Sequence, residues 1–380
     1  MTRFILPWVA QATQTFVHAD DVREAVSLAL VSGKHLILFG PGGHAKSEMI
    51  TNVTRSLAGA TTFVQSFGEG MDEARLYGGL DLPALEAGEN ARIQYRPEHS
   101  FLAADIAVFE ELFDSPASVL LSLKDTLTSG ALRNGAQQFA MRTSCIVSAT
   151  NRSPQEVADL GPAAGALIER FPLQLEVSWP SYDARDYLEM FRSVAAGGGA
   201  DAAVPWGDVV ALRELARNCQ VPDSVQGVLA EVISGAVAAG HFISPRTAMH
   251  ALGLVRAAAA IRGSNVATKE DLVAIRYLPG LGELAAQMST DIEAASARAE
   301  AEVALQDAEG RVQQYLSDPR WSCGSPIKAL QLQKIASSFA DELATLRLPD
   351  GMRERREVLR TRVGEAQGRA ANLAVEWTRI

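Results

Sequence analysis

The stretch "HLILFGPGGHAKSEMI", residues 35–50, decides how the first half of this chain folds. A short unbroken apolar run, "HLILF", is the mark of a parallel strand covered on both faces. A glycine-rich loop follows it directly, and "SEMITNVTRSLAG" then reads as a helix. Strand, loop and helix in that order form a phosphate site, because the free N–H groups of the helix N-terminus point at the anion. Gly40, Lys46 and Ser47 match the pattern G-x-x-x-x-G-K-[ST], but Ala45 stands at its second glycine. Gly40 permits a tight turn, and Gly42 and Gly43 keep side chains away where amides close on phosphate oxygens. Ala45 adds one methyl, which is tolerated if its φ is negative. Lys46 is placed for the β- and γ-phosphates and Ser47 for Mg²⁺. His44, at the loop apex, reads as a solvent-facing residue.

Upstream, "DDVREAVSLALVS" sets Val22, Ala25, Val26, Leu28 and Leu30 on one helical face, with Asp20 as the expected N-cap and Gly33 as the stop. Downstream, "DIAVF" at 105–109 and "SCIVSAT" at 144–150 are two more buried strands. Between the loop and these strands, "LYGGLDLPALEAGENARIQYRPEH" is rich in turn residues and flanks a candidate short hairpin. The expectation is an α/β core with a parallel sheet over residues 1–195. From "SWPSYDARDYLEM" onward strand signals fade, and helices are expected around 184–195, 207–218, 223–239 and 245–262. The segment "VAAGGGADAAVPWGD", 194–208, reads as a linker or boundary, so residues 196–283 are expected to form a helical lid closed by "LPGLGE". Residues 284–380 are expected to form a helical hairpin or three-helix bundle, its parts separated by "SDPRWSCGSP" and "LRLPDG".

Composition narrows the function. Hydrophobic residues make up 47% and charged residues 21% of the 380 positions, as in ordinary globular domains. The net charge of −10 argues against general affinity for nucleic acid or anionic membrane, which require a basic stripe. Cys145, Cys219 and Cys323 are widely spaced, the usage of a reducing compartment, and read as buried small residues. The N-terminus has no signal-peptide pattern and no run approaches a membrane span, so a cytoplasmic protein is expected.

A phosphate loop needs a metal-holding carboxylate at the end of a neighbouring strand, and "DIAVFEELFD" supplies Glu110 followed by Glu111. Glu110 is the candidate for the Mg²⁺ shell and Glu111 for polarising the attacking water. The strand "SCIVSAT" is followed by Asn151, whose amide suits a γ-phosphate or the lytic water. Arg170, between a helix and the next strand, is placed to reach a nucleotide on an adjacent subunit. Arg246 opens a helix of the second domain, from which its guanidinium is expected to fold over the phosphates.

In this order the elements resemble the MoxR-type AAA+ ATPases, especially the branch that includes the RavA-like proteins. Members carry a loop of the form GPPGxAKS, and "GPGGHAKS" matches it, alanine included. The segments "YGGLDLPALEAG", "DIAVFEELFDSPASVLLSLKDTLTSGALRNG", "SATNRSP" and "ALIERFPLQL" also look like the family's insert, Walker B, sensor 1 and arginine-finger segments in turn. The resemblance spans about residues 15 to 280. It implies an AAA+ P-loop NTPase core, an all-helical lid, and ATP held by Gly40, Pro41, Gly42, Gly43, His44, Ala45, Lys46 and Ser47. It further implies Mg²⁺ at Ser47 and Glu110, catalysis by Glu111, sensing by Asn151, a trans-acting Arg170 and a sensor 2 Arg246. Such proteins form hexameric rings and remodel or activate client proteins, often with a partner carrying a von Willebrand factor A domain. Glu110 departs from the family's usual aspartate. Besides an ATP-hydrolysing motor, the sequence leaves open a nucleotide-gated scaffold with little turnover, or an activase for one metabolic enzyme, like Rubisco activases or metal chelatase motors.

Overall fold

The computed structural model describes residues 4–43, 45–178, 181–195, 203–284, 287–322, 325–346, 348 and 350–376. In chain order its first half contains α1 (Pro7–Ala12), α2 (Asp20–Ser32), β1 (Leu36–Phe39), α3 (Lys46–Arg55), β2 (Leu57–Ala58) and β3 (Thr62–Ser66). The short α4 (Glu73–Leu76) and α5 (Leu82–Leu85) lead to β4 (Ile106–Glu110) and α6 (Ala117–Ser129). Then come the hairpin β5 (Ala131–Asn134) and β6 (Gln137–Ala140), β7 (Cys145–Ala149), α7 (Pro154–Asp159), α8 (Pro162–Ile168) and β8 (Leu173–Glu176). Five strands form one sheet in the order β3-β4-β7-β1-β8, with every pairing parallel. The three expected strands are its centre. Every residue of β1 and β7 is buried, which explains the unbroken apolar runs in their sequences. Ile37, Phe39, Phe101, Phe109, Leu123, Ile146 and Phe171 belong to one core cluster.

Several local expectations change. Asp20 is not the N-cap of α2; Ala19 is, and Asp20 and Asp21 fall in the first turn, where carboxylates favour the positive end of the helix dipole. Gly33 ends the helix as expected, in the left-handed region at φ 63°. The candidate hairpin in residues 76–99 is a single antiparallel bridge, Leu80 to Tyr95. The true hairpin lies later, where Gly135 at φ 58° turns β5 into β6.

The helices that follow are α9 (Ala184–Ala195), α10 (Trp206–Asn218), α11 (Asp223–Ala238) and α12 (Pro245–Ile261), with β9 (Val204–Pro205) pairing in parallel with β2. Much of the expected linker, residues 196–202, lies outside the described residues. The chain divides into two compact units, one of Met1–Pro222 and Ala236–Ser289 and the other of Asp223–Gly235 and Thr290–Ile380. In the first unit, α12 packs on both α2 and α10. Arg213 of α10 donates from Nε to the Leu30 carbonyl at 2.6 Å, joining a cation to the C-terminal end of α2. The 3₁₀ segment Lys269–Tyr277 is fixed by Arg276, which ion-pairs with the buried Glu24 of α2.

The second unit contains α13 (Met288–Leu316), α14 (Pro326–Thr345) and α15 (Arg353–Glu376), the expected three helices. Leu305, Val312, Leu332, Ala336, Leu343, Leu359 and Val363 are in its core. Arg355 of α15 bridges Glu302 at 2.8 Å and Glu309 at 3.0 Å on α13. Cys145 and Cys219 are buried free thiols, and Cys323 lies outside the described residues. Among the described residues no helix is long and apolar enough to cross a membrane.

Candidate nucleotide site

The parallel sheet brings the C-terminal ends of β1, β4 and β7 to one edge, and the candidate residues leave from there. Gly40 follows β1, Glu110 ends β4 and pairs with Ala149 of β7, and Asn151 comes two residues after β7. At Gly40 the backbone has φ 137°, and a Cβ would lie 2.6 Å from the Val177 carbonyl oxygen, so no side chain fits there. Gly43, at φ 86°, has open space where a Cβ would project, with nothing within 4 Å; its need is for the left-handed backbone alone. His44 lies outside the described residues. Ala45 adopts φ 52° and ψ 19°, as N-cap of α3. The condition set for its tolerance, a negative φ, is therefore not met: the loop places alanine in the left-handed region, at a conformational strain of roughly 1–2 kcal/mol.

Lys46 begins α3 and is 5% exposed. Its ammonium donates to the carbonyl oxygens of Gly40 at 2.7 Å and Pro41 at 2.8 Å, and to Asn151 Oδ1 at 3.4 Å. Burial lowers its pKa, and the charge of Glu111 acts in the opposite direction. The lysine is thus curled into the loop, held by acceptors that phosphate oxygens would replace. Ser47 follows on the first turn of α3 and is half-buried.

Glu111 turns the chain out of β4 with φ 51°. Its N–H donates to the Ala149 carbonyl at 2.9 Å, and its Oε2 accepts from the Asn151 backbone N–H at 3.0 Å. A left-handed non-glycine residue is costly and is kept only where the surroundings over-determine it; here two bonds to the end of β7 do so. Glu110 accepts a 2.7 Å bond at Oε2 from Ser66 Oγ at the end of β3. Ser66 was not foreseen, because β3 is an edge strand with half-exposed positions and no apolar run. A second unforeseen residue is Arg152, whose carbonyl accepts from Gly40 N–H at 3.3 Å and whose guanidinium grips Asp114 at 2.7 Å. The two arginines lie elsewhere. Arg170, between α8 and β8, donates from Nε to Thr128 Oγ1 at 2.8 Å and ion-pairs with Glu169 at 3.3 Å. Arg246, at the start of α12, shares a cleft with Arg170 beside Lys34 and His35, at the N-terminal end of β1. The structure therefore groups Arg246 with Arg170 and not with Lys46 of its own loop, because α12 lies along α2, whose end feeds the beginning of β1.

The donor set suits a nucleotide with a divalent cation. Open glycine backbone, a helix N-terminus and a lysine converge as a phosphate cradle requires. Among the described residues no three His, Cys, Asp or Glu side chains gather as a self-sufficient metal cage. A Mg²⁺ ion needs no such cage, being held by one or two protein oxygens together with phosphates and water; Ser47 and Glu110 are the candidates for those oxygens.

Residues 5–192 match the family model described as the MoxR domain in the MoxR-vWA-beta-propeller ternary systems. The chain is 21% identical over 281 residues to Chaperone MoxR1 of Mycobacterium tuberculosis, covering 70% of this chain and 72% of that one. It is similar in fold to the crystal structure of an ATPase candidate from Cytophaga hutchinsonii, with TM-score 0.56 and 18% identity over 76% of this chain and 92% of that one. The parallel sheet and the loop between β1 and α3 accord with these matches, and residues 5–192 are similar to a MoxR domain of AAA+ type.

Proposed function

We propose that this chain is an ATP-hydrolysing motor of MoxR type, close to the RavA-like branch, that assembles into a ring and remodels or activates a client protein. The observation that carries the reading is the convergence of Lys46, Asn151 and Glu111 through bonds of 3.4 Å and 3.0 Å at one sheet edge. Gly40 to Ser47 would bind the phosphates, and Mg²⁺ at Ser47 and Glu110 would neutralise their charge. Glu111 would orient the attacking water and take its proton, with Asn151 as a second contact. Arg170 and Arg246, remote from their own loop, would serve a nucleotide on a neighbouring subunit. A partner with a von Willebrand factor A domain accords with the ternary systems for which the matching family is described. In this reading residues 1–195, 196–283 and 284–380 act as core, lid and appendage, in the cytoplasm.

The test is phosphate release against protein concentration with saturating Mg²⁺ and ATP. Specific activity should rise as rings assemble, and Glu111→Gln should lower turnover by about 10²–10⁴-fold while retaining ATP. Normal turnover by that variant would sink the role given to Glu111. A nucleotide-gated scaffold is the second reading, favoured by glutamate at position 110; tight ATP binding with no phosphate release in the wild type would establish it.

A further inference from the structure

A cleft of about 310 Å³ opens at the N-terminal end of β1, lined among others by Lys34, Thr128, Glu169, Arg170, Arg246 and His250. Three of these side chains are cations and one is a carboxylate, and that carboxylate is already engaged by Arg170 at 3.3 Å. Lys34 reaches across to α12, where its Nζ lies 2.9 Å from His250 Nδ1. The close approach depends on Gly253, since a Cβ there would come within 2.8 Å of Lys34 Cε and 3.2 Å of Nζ. Among the described residues no carboxylate pairs with Lys34 or with Arg246. Burial lowers the Lys34 pKa, and burial with the charges of Lys34 and Arg246 holds His250 at about 4. His250 is then neutral, and its Nδ1 accepts a hydrogen bond from the Lys34 ammonium, holding it in place.

A lysine with a purely structural role is normally either solvated or matched to a carboxylate, because a half-buried cation without a counter-ion is costly. Here three cations converge on one space, and repulsion among them is relieved by an anion. Guanidinium and ammonium groups around a small cleft are the chemistry of phosphate recognition. The chain's own loop cannot deliver that phosphate, since it leaves the opposite end of β1, a four-residue strand of roughly 13 Å.

We propose that Lys34, positioned by His250 and given room by Gly253, is a third cation beside Arg170 and Arg246 in a receptor for a phosphate chain, and that this chain belongs to the nucleotide held by a neighbouring copy. The cleft's affinity for phosphate stands on its own geometry, whereas the source of the phosphate rests on the function proposed above. Two arms separate them. In the first, Lys46→Ala silences the chain's own loop, and tripolyphosphate is titrated by calorimetry. Binding should persist and weaken about tenfold or more when Lys34→Met or Gly253→Ala is added, the latter displacing the ammonium without removing a charge. Lys34→Arg should retain binding, which separates lost charge from lost folding. In the second, Lys34→Met and Lys46→Ala proteins, each slow alone, are mixed; ATP turnover should recover, because an intact loop then meets an intact Lys34. Absence of tripolyphosphate binding to the Lys46→Ala protein, or binding indifferent to Lys34, overturns the receptor. Lys34-dependent binding without recovery on mixing overturns the neighbouring nucleotide as its source and assigns the cleft to free polyphosphate. Failure of the motor reading would appear separately, as a wild-type protein without turnover whose tripolyphosphate titration is unaffected.

Discussion

Replacing Ala45 by glycine should stabilise the first unit, although it removes a methyl group that MoxR-type loops carry. Ala45 lies at φ 52° and ψ 19°, where an L-residue with a Cβ is disfavoured by roughly 1–2 kcal/mol and glycine is not. It is also the N-cap of α3 without a side-chain cap bond, a position that accepts glycine better than alanine. Against this, glycine gives the unfolded chain more freedom, a cost of about 0.4–1 kcal/mol. The difference leaves a net gain of about 0.5–1 kcal/mol, or an upward shift of ~1–4 °C in the melting of a domain of this size. Calorimetry in nucleotide-free buffer reads the shift, with Ala45→Val as the opposite control, because a β-branched residue at positive φ should lower the transition. A lowered transition for Ala45→Gly, or an unchanged one for Ala45→Val, would show that the loop in solution holds residue 45 at negative φ and would refute the strain argument.

Ser66→Ala removes the 2.7 Å bond to Glu110 and should raise the Mg²⁺ concentration needed for half-maximal turnover by about tenfold, read by a Mg²⁺ titration, while leaving ATP-independent stability nearly unchanged. His35 gives a pH prediction. Its Nδ1 accepts from Ile146 N–H at 3.1 Å, and burial, with the charges of Lys34 and His250, lowers its pKa from 6.5 to about 4. Between those values the unfolded chain holds a proton that the folded chain does not, so stability is present above pH 6.5 and is lost as pH falls towards 4. The loss is at most about 3 kcal/mol, and urea unfolding at a series of pH values should show it reduced in His35→Gln; an identical slope in that variant would assign the dependence to other groups.

The parts of this molecule that could be read from the sequence are those where burial leaves an imprint on residue type. β1, β4 and β7 are covered on both faces, so their apolar runs could be found, and with them the positions of Lys46, Glu110, Glu111 and Asn151. β3 carries an alternating, half-exposed pattern, which a short window cannot distinguish from a loop, and Ser66 was hidden with it. The hairpin at 131–140 does carry a local signal, the Asn-Gly turn of "RNGAQQ" at Gly135, but its strands are too short and too polar to stand out beside it. Ala45 shows another limit: a residue type gives a preference for φ, and the loop's closure overrides that preference. Arg246 shows the last, since its place beside Arg170 follows from how α12 packs on α2, a long-range matter to which local sequence is blind.

Lys34 and Gly40 stand six positions apart along the chain, on either side of β1, a strand buried between β7 and β8. Hydrogen-bonded on both edges and packed on both faces, such a segment is stiff along its length. A push on one end is delivered to the other with little lost to bending. If these chains assemble into the proposed ring, β1 would work as a tappet: phosphate arriving or leaving at the Lys34 end would be felt at the Gly40 end, through the seven residues from Lys34 to Gly40.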